Sequence, residues 1–161
     1  MNHLLHTGPL GPMRLAAAGD ALAGVWFEGQ KHFPPDADGW TLVPQDPLLQ
    51  EAARQLDAYF AGRLDAFDLP LAAPAGTAFQ QRVWDALRTI PRGATESYGA
   101  LARRLDHPAA VRAVGAAVGR NPWSVVVPCH RVLGRAGAMT GYAGGIERKT
   151  ALLRLEGALS H

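Results

Sequence analysis

Cysteine is almost absent: Cys129 is the only one in 161 residues. One thiol cannot close an internal disulfide, which removes the disulfide-stapled secreted scaffold from consideration. No apolar run is long enough to span a bilayer. The opening MNHLLHTGPLGPMR lacks a basic segment followed by a sustained apolar one, so no signal peptide is expected. The six histidines, at 3, 6, 32, 107, 130 and 161, fall at no metal-site spacing with the cysteine. No phosphate-loop pattern and no internal repeat is present. These absences lead to an expected cytoplasmic location, no membrane, no metal and no cofactor.

What is there begins with 48% hydrophobic residues, enough for a packed core in one domain or two small ones. The net charge of +2 conceals a division. Residues 1–76 hold four Lys or Arg and nine Asp or Glu, net −5; residues 77–161 hold twelve and five, net +7. Such asymmetry points to two regions with different tasks, the second either facing a polyanion or carrying a basic surface without a partner.

GPMRLAAAGDALAGVWFEGQ reads as two short strands around Gly19-Asp20. KHFPPDADGWTLVPQDP reads as a loop. Asp46 caps a helix with Pro47 at its first position, and Leu48, Leu49, Ala52, Leu56, Tyr59 and Phe60 form its stripe until Gly62. DLPLAAPAGTAF resembles a linker, which places the boundary between domains at 1–74 and 75–161. Thr77 and Gln80 form a capping box, and Phe79, Val83, Trp84 and Leu87 the buried face that follows. Ser97 caps a helix to about Leu105, and Pro108 starts another to about Gly119. Val125 to Val127 reads as a buried extended strand, GYAGG as a turn, and Ile146 to Glu156 as a last helix stopped by Gly157. The expected class is α+β, a small sheet with a helix followed by a mainly helical region.

SYGALARRL and PAAVRAVGAAVG, joined at Asp106-His107-Pro108, have helix-turn-helix spacing. In the second helix Val111, Val114 and Val118 share a core-facing side. Arg112 then stands among Ala113, Ala116 and Gly119 on a face almost without side chains. Small residues admit close approach of a grooved partner, and arginine forks into bases or phosphates. Ordinary packing of an alanine-rich helix explains the same pattern.

VVVPCH sets Cys129 at a proline with His130 beside it. Glu156 lies three residues past Leu153 and four past Leu152, partly on their apolar face. A carboxylate there wants a partner, because a buried unpaired charge is expensive. One reading joins the three: Glu156 orients His130, and His130 takes a proton, directly or through water, from Cys129 to make a nucleophilic thiolate. The other leaves Glu156 as a solvated residue on a fraying helix and Cys129 as a small buried hydrophobe. Thiol–disulfide exchange would normally want a second cysteine, and none exists; a thiol hydrolase is one reading, and a DNA-facing helix pair beside a nucleophile suggests another, attack on an alkyl group of a damaged base. The latter gives a thioether with no easy hydrolytic exit, so the protein acts once.

VPCHRVLGRAGAMTGYAGGIERKTALLRLEG, GTAFQQRVWDALRTIPRGATESYGALARRL, VRAVGAAVGRNP and VWFEGQKHFP together resemble the methylated-DNA–protein-cysteine methyltransferases, the O6-alkylguanine-DNA alkyltransferases, over essentially the whole chain. The resemblance implies a structural ribonuclease-H-like domain, then a winged-helix-like DNA-binding domain. The second domain enters the minor groove of double-stranded DNA, turns out an O6-alkylguanine and takes its alkyl group irreversibly, with O4-alkylthymine as a further substrate. It implies that Cys129 is the acceptor, His130 the water-linked base, Glu156 its orienting carboxylate and Asn121 a hinge residue of the active site. Tyr98, Tyr142, Val132 and Ala143 would line the guanine pocket. Ser97, Arg112, Ala113, Gly115 and Ala116 would meet DNA, with Arg112 filling the place of the extruded base. Ala143 stands where some relatives have a serine donor. No four-cysteine extension precedes residue 9, so zinc-based methyl sensing is not expected. The protein is expected to act as a monomer without a protein partner. The alternative is a non-catalytic sensor of alkylated DNA.

Overall fold

A computed structural model describes residues 1–73 and 76–159. Two compact units are built, one from Met1–Pro74 with Pro122–Val126 and one from Ala75–Asn121 with Val127–His161.

The first unit is a four-stranded sheet with a helix on one face. Strands β1 (Asn2–Gly8), β2 (Gly11–Ala18) and β3 (Ala21–Phe27) form an antiparallel meander, and the two-residue β4 (Thr41–Leu42) joins β1 in parallel, giving the order β3-β2-β1-β4. The β2–β3 hairpin turns at Gly19-Asp20, where Gly19 takes the positive φ of 62° that a two-residue turn requires. Helix α1 (Pro47–Phe60) begins as expected: the Asp46 carboxylate accepts from the amides of Leu48 and Leu49. Its Leu49, Ala52, Leu56 and Tyr59 are buried, as are Leu4, Met13, Leu15, Val25 and Phe27 of the sheet.

Strand β1 was not anticipated. Its adjacent Leu4 and Leu5, one buried and one exposed, hide the alternation that marks a half-buried strand. The stretch expected as a loop contains β4 and a short 3-10 turn at Ala37–Gly39. The start of the expected linker is stitched to the unit. Gln55 bonds both backbone groups of Asp68, and Leu22 exchanges hydrogen bonds with Pro70 and Ala72. Pro74 and Ala75, at the expected boundary, lie outside the described residues.

Val125 to Val127 is not a strand. The ladder contact falls earlier, where Trp123 pairs with Val25 and its indole N–H donates to the Leu22 carbonyl at 2.8 Å. Val125 itself turns at φ 71°, a conformation that a β-branched residue rarely takes. Trp123 thus fixes Pro122–Val126 to the first unit, although the segment lies within the sequence expected for the second domain.

The second unit is mainly helical. Helix α2 (Ala78–Leu87) carries the reciprocal Thr77–Gln80 capping box, α3 (Tyr98–Arg104) is capped by the Ser97 hydroxyl, α4 spans Val111–Gly119 and α5 Ile146–Leu155. A minimal parallel pair, β5 (Glu96–Ser97) with β6 (Val132–Leu133), completes it. The core holds Val83, Trp84, Leu87, Leu101, Val114, Val118, Leu152 and Leu153, and the Trp84 indole donates to the Ala117 carbonyl at 2.8 Å. Helix α4 starts at Val111 rather than Pro108, after a turn in which the Ala110 amide bonds the His107 carbonyl. Val111 is therefore exposed rather than core-facing, and Phe79 is only half-buried, edge-on to His107.

Candidate active site

Cys129, His130 and Arg131 form a single buried 3-10 turn after Pro128. This compact turn follows the stretch Val125 to Val127 that was expected as a strand. Glu156 reaches it from the C-cap of α5. Helix α5 ends in a Schellman motif: Gly157 at φ 78° and Ala158 return their amides to the carbonyls of Arg154 and Leu153.

His130 Nε2 lies 2.8 Å from Glu156 Oε2, with both side chains wholly buried. A carboxylate partner requires the proton on Nε2, which leaves the Nδ1 lone pair as the basic position. Nδ1 is buried and has no hydrogen-bond partner within the protein. Burial lowers the His130 pKa below its ordinary value, against the upward pull of Glu156, while Arg131 and Lys149 push it further down. The resting imidazole is neutral and can accept a proton.

Asn121, the second residue after α4, is buried and donates from Nδ2 to the Val127 carbonyl at 2.9 Å. Its side chain also bonds the Cys129 thiol. Burial raises the thiol pKa; Asn121 and the Lys149 charge act in the opposite direction. The sulfur therefore rests as a thiol, and becomes a good nucleophile only when its proton is taken.

Lys149 is a site residue that the sequence reading missed. It is fully buried, and its Nζ donates to the carbonyls of Val132, Thr140 and Gly141 at 2.6, 2.7 and 3.1 Å. Burial brings its pKa down to about 8, while the Cys129 charge opposes this. Three acceptors for three donors keep the ammonium form at neutral pH. The signal was available: Lys149, Leu152, Leu153 and Glu156 follow the spacing of one helical face, the same argument that singled out Glu156. Arg131 was missed too. It donates to both oxygens of Glu156, and no periodicity marks it.

Tyr98 opens α3, and its hydroxyl approaches the carbonyls of Thr140 and Gly141 at the long distances of 3.5 and 3.4 Å. Its ring lies against Gly115 of α4, where an added Cβ would come 3.8 Å from Tyr98, and 5.8 Å from Lys149 Nζ. Val132 is buried and contributes its carbonyl to Lys149, whereas Tyr142 and Ala143 are half-buried in the turn before α5. Ser97 is committed to capping α3. Arg112, Ala113 and Ala116 are exposed on α4, opposite the buried Val114, Ala117 and Val118. The structure thus gathers Cys129, His130, Glu156 and Asn121 into one buried cluster. The sparse face of α4 stays at the surface, tied to the cluster through Gly115 and Tyr98. Among the described residues no group of His, Cys, Asp or Glu has the arrangement of a metal site.

Residues 3–73 match the ribonuclease-like domain of 6-O-methylguanine DNA methyltransferase, and residues 78–158 its DNA binding domain. The chain is 46% identical over 158 residues to a methylated-DNA–protein-cysteine methyltransferase of Methanosarcina acetivorans, covering 98% of this chain and 99% of that protein. It is 50% identical over 148 residues to one of Mycobacterium tuberculosis, covering 92% and 87%. The crystal structure of Mycobacterium tuberculosis OGT in complex with DNA superposes with a TM-score of 0.89 at 46% identity, covering 98% of this chain and 94% of that one.

Proposed function

The chain belongs to the methylated-DNA–protein-cysteine methyltransferase family, and on that premise we propose that it repairs O6-alkylguanine in DNA by moving the alkyl group irreversibly to its own Cys129. The observation that carries this reading is the buried turn in which the only thiol of the chain, Cys129, is followed directly by His130, whose imidazole is oriented by Glu156 at 2.8 Å.

The thiol proton passes to His130 Nδ1 through a bridging water. The sulfur attacks the alkyl carbon and the carbon–O6 bond breaks, its electron pair leaving with guanine. Guanine then takes up a proton equivalent to the one the thiol gave. The product thioether has no hydrolytic exit, so each molecule reacts once. Lys149 lowers the cost of the thiolate through its charge, and Asn121 through its bond to the sulfur. Tyr98, Tyr142, Val132 and Ala143 border the space for the turned-out base. Duplex DNA is engaged through its minor groove by the exposed face of α4. Ala113 and Ala116 admit the backbone there, Ser97 and Gly115 support the contact, and Arg112 occupies the gap in the stack. The protein acts as a monomer in the cytoplasm, and O4-alkylthymine is a second substrate. No helix among the described residues is long and apolar enough to cross a membrane.

The test is the intact mass after mixing with an equimolar duplex containing one O6-methylguanine, followed by peptide mapping. One methyl replaces one hydrogen, only with damaged DNA and only on Cys129. The Cys129→Ala variant binds DNA and gains nothing. Damage-selective binding by the unaltered chain without any mass gain would instead make it a non-catalytic sensor of alkylated DNA. Repeated turnover on a small ester would make it a thiol hydrolase.

A further inference from the structure

The orienting carboxylate is itself oriented. Arg131 Nε donates to Glu156 Oε1 at 2.8 Å and Arg131 Nη2 to Glu156 Oε2 at 2.9 Å, the paired geometry in which a guanidinium fork fixes a carboxylate plane. The third arm, Nη1, donates to the Ile90 carbonyl at 2.6 Å, which anchors the fork to the loop after α2. From the same loop Arg92 donates to the Leu155 carbonyl at 3.0 Å, one residue before Glu156. Both ends of the carboxylate's setting are thus held, and all three side chains of the His130–Glu156–Arg131 chain are buried.

We propose that Arg131 is a positioning residue for alkyl transfer: its fork holds Glu156 so that one carboxylate oxygen is directed at His130 Nε2 and the charge of that carboxylate is answered from the far side. Two consequences follow. A fixed Oε2 commits the Nε2 proton and so presents Nδ1 as the base. A carboxylate already paired with a cation pulls less on the imidazole, so that His130 stays neutral. The charged and titratable groups around His130 are Glu156 and Lys149 from α5 and Cys129 and Arg131 from its own turn. Arg131 is the one among them that acts on both the direction and the charge of Glu156. The role rests on the reading of Cys129 as acceptor and His130 as its base.

The experiment follows two quantities in the full-length chain against pH: the NMR titration of the His130 ring without DNA, and single-turnover benzyl transfer from free O6-benzylguanine. In Arg131→Met the carboxylate is unanswered, so the His130 midpoint rises by about one pH unit and transfer is lost first at the acid end. In Arg131→Lys the charge remains but the fork is gone; the midpoint stays near that of the parent while the rate plateau falls by about tenfold. In a Glu156→Gln background, replacing Arg131 by Met leaves the rate plateau unchanged and moves the midpoint much less, because only the direct charge of Arg131 on the ring remains to be lost. That double variant carries no buried charge pair and keeps the test open where Arg131→Met alone does not fold. A folded Arg131→Met chain with the parental midpoint and rate overturns the proposal, as does an equal effect of that change with and without Glu156. Failure of the unaltered chain to transfer at all would overturn the acceptor reading instead, and the His130 titration would still judge Arg131.

Discussion

A thiol, an imidazole and an ammonium buried together start from protonation states set by their surroundings. Burial keeps Cys129 protonated and His130 neutral, and the proposed reaction passes one proton between them. The same burial links His130 to stability. Its folded pKa lies below 6.5, so as pH falls through 6.5 the unfolded chain gains a proton that the folded chain refuses, and stability is lost. Below pH 6.5 the slope from this one group grows toward a ceiling of about 1.4 kcal/mol per pH unit. Denaturant unfolding at several pH values should show that the parent loses stability more steeply than His130→Gln; parallel curves would remove the buried neutral imidazole. Lys149 makes a second prediction. Its charge favours the thiolate, so Lys149→Met should push the Cys129 titration midpoint, read by thiolate absorbance, further up and slow transfer at neutral pH. An unchanged midpoint would leave Lys149 as a tie between Val132, Thr140 and Gly141 alone. Glu156 was legible because a carboxylate on an apolar helical face demands a partner. Lys149 obeys the same rule, but its long stem makes a lysine ordinarily a residue that reaches solvent. Arg131 was invisible, since its partners, Glu156 and the Ile90 carbonyl, lie 25 and 41 residues away.

Elements whose ends are fixed by local chemistry were legible; elements fixed from a distance were not. The Asp46 cap, the Thr77–Gln80 box, the Ser97 cap and the Gly157 stop each depend on residues within a few positions, and each is present. The turn through Val125 depends on Trp123 reaching Leu22 across 101 positions, and nothing in VVVPCH announces it. Helix α4 stands between these cases. Its sparse face was read from sequence, but its start was placed three residues early because the Asp106–Ala110 turn intervenes. Asp106 takes φ 61° there and closes α3 in a Schellman motif, with His107 returning its amide to Ala102. The proposed role of the exposed trio Arg112, Ala113 and Ala116 in groove entry is separable from the chemistry by mutation. Arg112→Ala should slow repair of duplex DNA by about tenfold or more while leaving reaction with free O6-benzylguanine near the parental rate. Ala116→Glu, at an exposed position of α4, should weaken duplex binding without lowering the unfolding midpoint. Equal slowing of duplex and free-base reactions in Arg112→Ala would mean that the arginine supports the site rather than the duplex.

Across the whole molecule the charge division matters more than the total. A net +2 predicts little affinity for a polyanion, whereas net +7 over residues 77–161 predicts a good deal. Much of that basic charge is not free to meet phosphate. Arg131 is spent on Glu156, Lys149 on three carbonyls, and Arg104 on Glu96 and the end of α2. Exposed Arg112 and Arg120, at the two ends of α4, remain beside the sparse face. The effective number of phosphate contacts is therefore well below the twelve basic residues of that region. Each neutralised phosphate adds about −0.9 to the slope of log Kobs against log salt. Binding to an undamaged duplex should thus weaken with salt at a slope of only a few units, and at nearly the same slope for unrelated sequences, because α4 offers no amide side chain for base edges. Arg112→Ala should reduce the slope by less than about one unit, since an arginine placed within the base stack releases few counterions. Arg120→Ala, at the free end of the helix, should reduce it by close to one. Fluorescence anisotropy over a salt series measures both variants against the parent. A full-unit loss for Arg112→Ala would place that guanidinium on a phosphate and leave the gap in the stack to another residue.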